Sequence, residues 1–391
     1  MKEHKHDKIK ICHFVNKITG REDGVLNHIL AQIKLLSEFE QIIIYQGEKD
    51  VERIVNKFNV KYCSLECLNK KYSLKVFIQF YKIITSEDVD IIIAHKIKPY
   101  VIAGLLNIFL RRKLIYNYHG SFIKNDYNTK TEQLIYKILH WLISLFNNVY
   151  VVTPSKTSSI LLVNETKLFK KITAYYNGYC KLSEDDKSDV SIINELTKLK
   201  TKYFLIGYVG RLNREKNVFR ALEIIDILNK NKMNVFLVIF GSGEDEDKLK
   251  KYISLKTIQN IKLYGYLYNA SSYMKYFDLL LITSNREGLP LIVWEAMYNQ
   301  IPVISSDVGG IKEILEQENC GLVFKNDIND AVQKIILLMN DKQLHRKFGE
   351  NGFNAIMNKY NENNFRIFFE DYYHDIINEK RIKHTSHFAI F

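Results

Sequence analysis

A chain of 391 residues with 47% hydrophobic and 26% charged side chains has ordinary globular composition, which excludes collagenous, mucin-like and wholly disordered proteins. At roughly 150 residues per domain it predicts two to three domains, each able to bury its own core. The net charge of +12 is concentrated in the first half: residues 1–180 carry 27 Lys+Arg against 16 Asp+Glu, and residues 181–391 carry 29 against 28.

A basic half beside a neutral half points to one face meeting an anionic partner, for which nucleic acid and anionic lipid headgroups are the usual candidates. A scattered, solvated lysine surface is the alternative. The first ten residues are charged throughout, and the apolar run after them is interrupted by His13, Asn16 and Lys17, so no secretory signal is expected there. No stretch reaches the roughly 18 apolar residues of a membrane span. The longest, 101–110, is broken by Asn107 and followed by Arg111-Arg112-Lys113. It reads as a core helix or as part of a basic face lying on a membrane. The cysteines at 12, 63, 67, 180 and 320 have no second closely spaced pair to complete a zinc site, and they read as reduced thiols. Only 4 Pro and 17 Gly leave no room for a Pro/Gly-rich linker.

Along the chain, apolar β-rich runs at 9–15, 41–46, 89–94, 113–118, 148–153 and 172–176 alternate with amphipathic segments such as 25–37, 72–85 and 130–146. Short runs that are apolar nearly throughout suit parallel strands covered on both faces. The segment 181–200 turns polar, and then the rhythm restarts with strands at 203–209, 234–240, 261–264, 279–283, 301–305 and 322–324. This predicts an α/β protein of two doubly wound domains, 1–190 and 191–360. A final aromatic-rich helix over 360–378 has no strand after it and must dock on an existing face.

Ligands of open parallel sheets bind at the carboxyl ends of the strands, so the residues just after each strand are the ones to inspect. After 203–209 comes Gly210-Arg211-Leu212-Asn213-Arg214-Glu215-Lys216-Asn217. Gly210 permits a sharp turn, Arg211 and Lys216 supply a planar fork and a point charge suited to a diphosphate, and Asn217 can cap the next helix. After 234–240 comes Gly241-Ser242-Gly243-Glu244, two glycines that bring backbone N–H groups toward an anion at a helix start. It is not a complete dinucleotide fingerprint, which disfavours a nicotinamide cofactor. After 279–283 comes the most informative run, Ser284-Asn285-Arg286-Glu287-Gly288-Leu289-Pro290-Leu291-Ile292-Val293-Trp294-Glu295-Ala296-Met297. Pro290 suits the first helical position, and the N–H groups of Leu291 and Ile292 would then point at a ligand. Glu295, a carboxylate inside an apolar helix, must be hydrogen-bonded or face a ligand, for which ribose hydroxyls are natural partners.

Read together, these segments and the following I-P-V-I-S-S-D-V-G-G-I-K-E resemble family 4 glycosyltransferases, with Glu287 and Glu295 matching that family's E-x7-E signature. The resemblance is strong over 200–325 and weaker before it. Near the N-terminus the family's Gly-Gly turn and following Glu correspond to Asp23-Gly24 and Leu26, so only Gly24 is left to offer its backbone. His119-Gly120, Thr153-Pro154-Ser155 and Asn177-Gly178 fall at familiar strand ends.

The resemblance implies a GT-B architecture, two Rossmann-like domains facing a central cleft, with the C-terminal helix of 361–391 crossing back to the first. It implies that Arg211 and Lys216 neutralise the diphosphate, that Glu295 holds the ribose and Glu287 the sugar ring, and that Leu291 and Ile292 N–H groups reach the phosphates. The Gly265-Tyr266-Leu267 loop would meet the base, with Gly241, Ser242, Gly243 and Gly288 completing the donor site. His119 would contact the sugar or donor phosphate. Transfer with retention is implied and no carboxylate nucleophile stands out, so front-face attack by the acceptor hydroxyl is expected. Fixed cations would replace a metal, so no cofactor is expected.

The partners expected are a nucleotide-sugar donor such as a UDP-sugar and a saccharide or lipid-linked saccharide acceptor of bacterial surface-polysaccharide assembly. An anionic membrane surface is a further expected contact, and nucleic acid is not expected. The expected location is the cytoplasm, peripheral to the inner face of its membrane. Two alternatives are a GT-B-shaped nucleotide-sugar epimerase, which should lack the E-G-L-P…E-A-M segment, and an inactive polyanion-binding scaffold, which the intact Arg211, Lys216, Glu287 and Glu295 disfavour.

Overall fold

The computed structural model describes residues 8–18, 24–46, 49–65, 74–119, 130–146, 148–166, 169, 171–182, 188–267, 270–325 and 327–378. The chain divides into two units, Met1–Leu182 with Glu362–Phe391, and Ser183–Asn361. The first unit runs β1 (Lys10–Lys17), α1 (Gly24–Leu35), β2 (Glu40–Gln46), α2 (Lys49–Asn56), β3 (Lys61–Ser64), α3 (Leu74–Ser86), β4 (Ile91–His95), α4 (Ile97–Leu110), β5 (Lys113–Asn117), α5 (Lys130–Phe146), β6 (Val149–Thr153), α6 (Lys156–Thr166) and β7 (Lys171–Ala174). The second runs α7 (Val190–Lys200), β8 (Phe204–Val209), α8 (Val218–Lys230), β9 (Val235–Phe240), α9 (Glu246–Lys256), β10 (Ile261–Leu263), a 3-10 turn (Ala270–Tyr276), β11 (Leu279–Ile282), α10 (Leu291–Tyr298), β12 (Val303–Ser306), α11 (Ile311–Gln317), β13 (Gly321–Phe324), α12 (Ile328–Asn340) and α13 (Lys342–Asn358). Helix α14 (Glu362–Ile377) belongs to the first unit.

Both sheets are parallel and doubly wound. The first is ordered β3-β2-β1-β4-β5-β6-β7 and the second β10-β9-β8-β11-β12-β13. Successive side chains of a strand point to opposite faces, and burial follows that alternation. Cys12, Phe14, Ile92 and Ala94 join one core with Val76, Phe80 and Ile102 of the helices. Ile11, Ile91 and Ile93 join a second core, where α14 inserts Phe365, Phe369, Tyr372, Tyr373 and Ile376. An aromatic stripe on a helix with no following strand is thus buried against the face opposite α3 and α4. The second unit buries Ile206, Tyr208, Leu237, Ile239, Leu279 and Leu281 beneath α8 and α12 in the same way.

The apolar run 101–110 is the body of α4, with Val101, Ile102, Ala103, Gly104 and Asn107 buried, so it is a core helix. Asn107, which interrupts the run in sequence, closes the helix end. Its side-chain oxygen accepts from Arg112 N and its amide donates to Arg112 O, both at 2.9 Å. Strand β3 is a four-residue edge strand with no fully buried position, and nothing in its composition marks it. Among the described residues Cys12, Cys63, Cys180 and Cys320 are unbonded thiols, while Cys67 lies outside them. No helix of the described residues is long and apolar enough to cross a membrane.

Candidate active site

In the second sheet the chain leaves β8 toward β9 on one side and returns through β11 on the other. This reversal is the topological switch point at which doubly wound sheets bind ligands. The loops after β8, β9, β11 and β12 meet there. Those after β8 and β9 are joined backbone to backbone: Leu212 N donates to Ser242 O at 2.9 Å, and Asp245 N donates to Leu212 O at 3.0 Å. Gly241 makes the approach possible. It sits at φ 147°, and a Cβ there would lie 1.9 Å from Gly210 O. Its N–H donates to Gly265 O at 2.8 Å, which brings the 265–267 loop and Leu267 to the same edge.

The loops after β8 and β11 are joined through side chains. Lys216 Nζ donates to Glu287 Oε1 at 2.5 Å, and Ser284 Oγ donates to the same oxygen at 2.7 Å. The Glu287 side chain is only 10% exposed, so this carboxylate is held by two donors at the base of the loop. Behind it, Thr283 Oγ1 donates to Asn217 O at 2.9 Å and Ser306 Oγ to Ser284 O at 2.6 Å. From β12, Gly310 N donates to Gly288 O at 2.7 Å, and Gly309 at φ 56° lies where a Cβ would come within 2.3 Å of the Glu287 and Gly288 carbonyls.

Helix α10 carries the other carboxylate. Glu295 is half-buried, and no hydrogen-bond partner for its carboxyl is found among the described residues. Burial alone pushes this carboxyl up to about 7. Without a partner among the described residues, it can accept hydrogen bonds from donors on a ligand that reaches it. Leu291 and Ile292 open the helix, so their N–H groups are among its first unpaired ones.

Three local expectations need correction. Pro290 is not the first helical residue but the extended N-cap, at φ −73° and ψ 142°. Asn217 precedes α8 in a left-handed conformation and makes no side-chain cap; its amide donates instead to Asn285 Oδ1 at 3.2 Å. The helix start expected at the Gly241-Ser242-Gly243-Glu244 turn comes two residues later, at Glu246, because the turn is used to bring Asp245 N onto Leu212 O.

The structure therefore brings Lys216 and Glu287 into direct contact. It also puts Arg211, Gly241, Ser242, Gly243, Leu267 and Gly288 on loops, and Leu291 and Ile292 at the helix start, at the carboxyl ends of one sheet's strands, with Glu295 one turn further into α10. His119 and Gly24 belong to the first unit. His119 follows β5, and Gly24 opens α1 with no atom of the described residues within 4 Å of where a Cβ would be. Leu26, at the position where the family resemblance would place Glu, is fully buried core. Gly20 to Asp23 and Gly120 lie outside the described residues.

Sequence reasoning missed the buried polar residues around His119. His95 Nδ1 lies 2.9 Å from His119 Nε2, and His13 Nδ1 lies 3.2 Å from His95 Nε2. Position gave a signal for two of them, since His95 ends β4 and His119 follows β5, but none for His13, which lies within β1. Among the described residues no group of three or more His, Cys, Asp or Glu could hold a metal ion.

Residues 191–355 match the family model described as "Glycosyl transferases group 1". The chain is 26% identical over 318 residues to the capsular polysaccharide biosynthesis glycosyltransferase CapM of Staphylococcus aureus, covering 75% of this chain and 81% of that protein. It is 24% identical over 380 residues to the UDP-Gal:alpha-D-GlcNAc-diphosphoundecaprenol alpha-1,3-galactosyltransferase of Escherichia coli, covering 91% and 94%. The crystal structure of Anabaena HepE in complex with UDP is similar at a TM-score of 0.76 and 15% identity, over 94% of this chain and 100% of that one.

Fold and sequence together define a glycosyltransferase with the GT-B fold. Within that class, the chain is similar to glycosyltransferases of group 1, whose model it matches over 191–355.

Proposed function

We propose that this glycosyltransferase moves a hexosyl unit from a UDP-sugar to a saccharide or lipid-linked saccharide acceptor, with retention at the anomeric carbon, in bacterial surface-polysaccharide assembly. The observation that carries the reading is the Lys216–Glu287–Ser284 contact at the switch point of the second sheet. It pairs a cation that would face the leaving diphosphate with a carboxylate that would receive a sugar hydroxyl. As the glycosidic bond breaks, negative charge grows on the diphosphate, and preorganised cations and helix N–H groups stabilise it. Arg211, Lys216 and the N–H groups of Leu291 and Ile292 supply these, so no metal is needed in this reading. Glu295 would accept from the ribose hydroxyls, and the 265–267 loop would meet the base. The acceptor hydroxyl attacks from the face the diphosphate leaves. The E. coli relative's undecaprenol-linked acceptor and the S. aureus relative's place in capsule synthesis support the acceptor class. UDP in the Anabaena structure supports the nucleotide.

A lipid-linked acceptor calls for contact with a membrane surface. Helix α5, rather than α4, offers the apolar part of such a contact: Leu134, Ile138, Trp141 and Leu145 are exposed at helical spacing. The surplus of Lys and Arg in residues 1–180 would complement anionic lipid. Sedimentation with anionic vesicles, weakened by salt and by Trp141→Ala, is the expected result; equal indifference to anionic and neutral vesicles contradicts it.

Thermal unfolding with a panel of nucleotide sugars tests the donor. A UDP-sugar should raise the midpoint and then be transferred to an acceptor with an α-linked product, or slowly hydrolysed to UDP and free sugar. A protein stabilised by none of them, or one that only epimerises the sugar, contradicts the reading.

A further inference from the structure

We infer that a buried hydrogen-bond chain, Gln41–His13–His95, fixes His119 with its proton on Nε2 and its lone pair on Nδ1, so that His119 meets the substrate only as a hydrogen-bond acceptor. The substrate part rests on the donor reading above; the tautomer part does not.

The direction of the chain is set at its far end. The Gln41 side-chain nitrogen lies 3.2 Å from both Gln32 O and Leu36 O, two carbonyls that can only accept. The amide must therefore turn its N–H groups toward them, which aims Oε1 at His13. His13 Nε2 lies 3.0 Å from that oxygen and has to donate to it. A neutral imidazole that donates from one nitrogen accepts at the other. His13 Nδ1 accordingly accepts from His95 Nε2 at 3.2 Å, and His95 Nδ1 accepts from His119 Nε2 at 2.9 Å. Reversing any link would set two lone pairs or two protons against each other in a site where His13 and His95 are fully buried. The neutral form that this logic needs is the one the environment favours. Burial lowers His13 to about 4 and His95 well below the ordinary histidine value, and burial with nearby Lys96 lowers His119 to about 3.

A second, separate set of bonds fixes the neighbouring ring. Tyr373 OH donates to Gln32 Oε1 at 2.6 Å, which turns the Gln32 amide nitrogen toward His28 Nε2 at 2.7 Å. Asn117 Nδ2 approaches the same nitrogen at 2.8 Å. With two donors on it, His28 Nε2 carries no proton. His28 lies edge-on to His119, with ring centroids 5.6 Å apart. Two adjacent rings are thus held neutral, and His119 offers a lone pair. That suits a sugar hydroxyl and rejects a phosphate oxygen, which has no proton to give. Gln41, His13 and His95 are positioning residues for this selection, supplied by β1, β2 and β4 and tied to α14 through Gln32.

The tautomer is read directly in the ligand-free full chain. Long-range proton–nitrogen correlation spectra of protein labelled with 15N-histidine should show His119 protonated on Nε2 and bare on Nδ1, its signals assigned by their loss in His119→Asn. His13→Leu removes the acceptor for His95 and should give His119 a mixture of tautomers. His13→Asn, whose Oδ1 replaces the lost Nδ1, should keep the wild-type form. With UDP-glucose hydrolysis as the probe, His13→Leu should lower turnover about three- to tenfold, the value of one neutral hydrogen bond, and His13→Asn should restore most of it. Wild-type His119 protonated on Nδ1, or an unchanged tautomer in His13→Leu, overturns the relay, and the wild-type spectrum decides even if His13→Leu does not fold. A shifted tautomer with unchanged turnover overturns the substrate role. A wild type that acts on no UDP-sugar removes the donor reading while leaving the relay to stand on its spectra.

Discussion

Lys216 donates to Glu287 at 2.5 Å, so Lys216→Ala removes a cation from the proposed diphosphate site and leaves Glu287 with Ser284 as its remaining partner. Part of the lost interaction exists only as charge builds on the leaving group. The turnover number at saturating donor should therefore fall by about 10²–10³, the equivalent of about 2–4 kcal/mol, and Lys216→Arg should recover part of it. Full turnover in the alanine variant contradicts this assignment. Glu295 behaves differently because its contribution to stability and its proposed contribution to binding have opposite signs. The folded protein keeps a proton on this carboxyl up to about 7, whereas the unfolded chain releases it near the ordinary 4.5. The folded state thus binds more protons between those values, and stability from this group is lost as pH rises through them. Glu295→Gln should match the wild type in thermal stability near pH 4 and exceed it at pH 8, by on the order of 1–3 kcal/mol. The same variant should bind UDP about tenfold more weakly. Lower stability at pH 8 with undiminished UDP binding would make Glu295 a structural residue.

Buried parallel strands are legible in sequence because both their faces are covered and every position is apolar. Strands β8, β9 and β11 differ from their sequence-derived spans only by a residue at one end or the other. Strand β3 was not legible, since an edge strand of half-exposed residues carries no such run. Loop clusters at the strand ends were legible by the same logic, and with them the residues of the second unit's candidate site. The contacts within the site were not. That Lys216 meets Glu287 depends on which strands are neighbours, and the His13–His95 link joins residues 82 positions apart in sequence. In sequence His13 shows only as an interruption of an apolar run. Helix starts were legible to within two residues, because backbone contacts such as Asp245 N to Leu212 O decide the last turn. The turn after β9 gives the prediction at this scale. Gly241→Ala would press a methyl group onto Gly210 O, and moving the loop should cost about 1–3 kcal/mol and weaken donor binding. An alanine variant with wild-type stability and donor affinity contradicts the assigned role of this close approach.

On the scale of the whole chain, two doubly wound units share one design, and the residues proposed to hold the donor's nucleotide come from the second unit. The first unit supplies His119 and its buried relay, the exposed apolar stripe of α5, and the sheet face that receives α14. The sequence distinguishes the units by charge, since the surplus of Lys and Arg lies in residues 1–180. The central claim is that the second unit binds a nucleoside diphosphate with its own cations, and calorimetric titration of UDP in the presence of EDTA tests it most directly. The account predicts that the wild type binds UDP without added metal and that Lys216→Ala binds it at least about tenfold more weakly, a difference of about 1.4 kcal/mol. Binding that appears only when magnesium or manganese is added, or equal affinity in the wild type and Lys216→Ala, would contradict it.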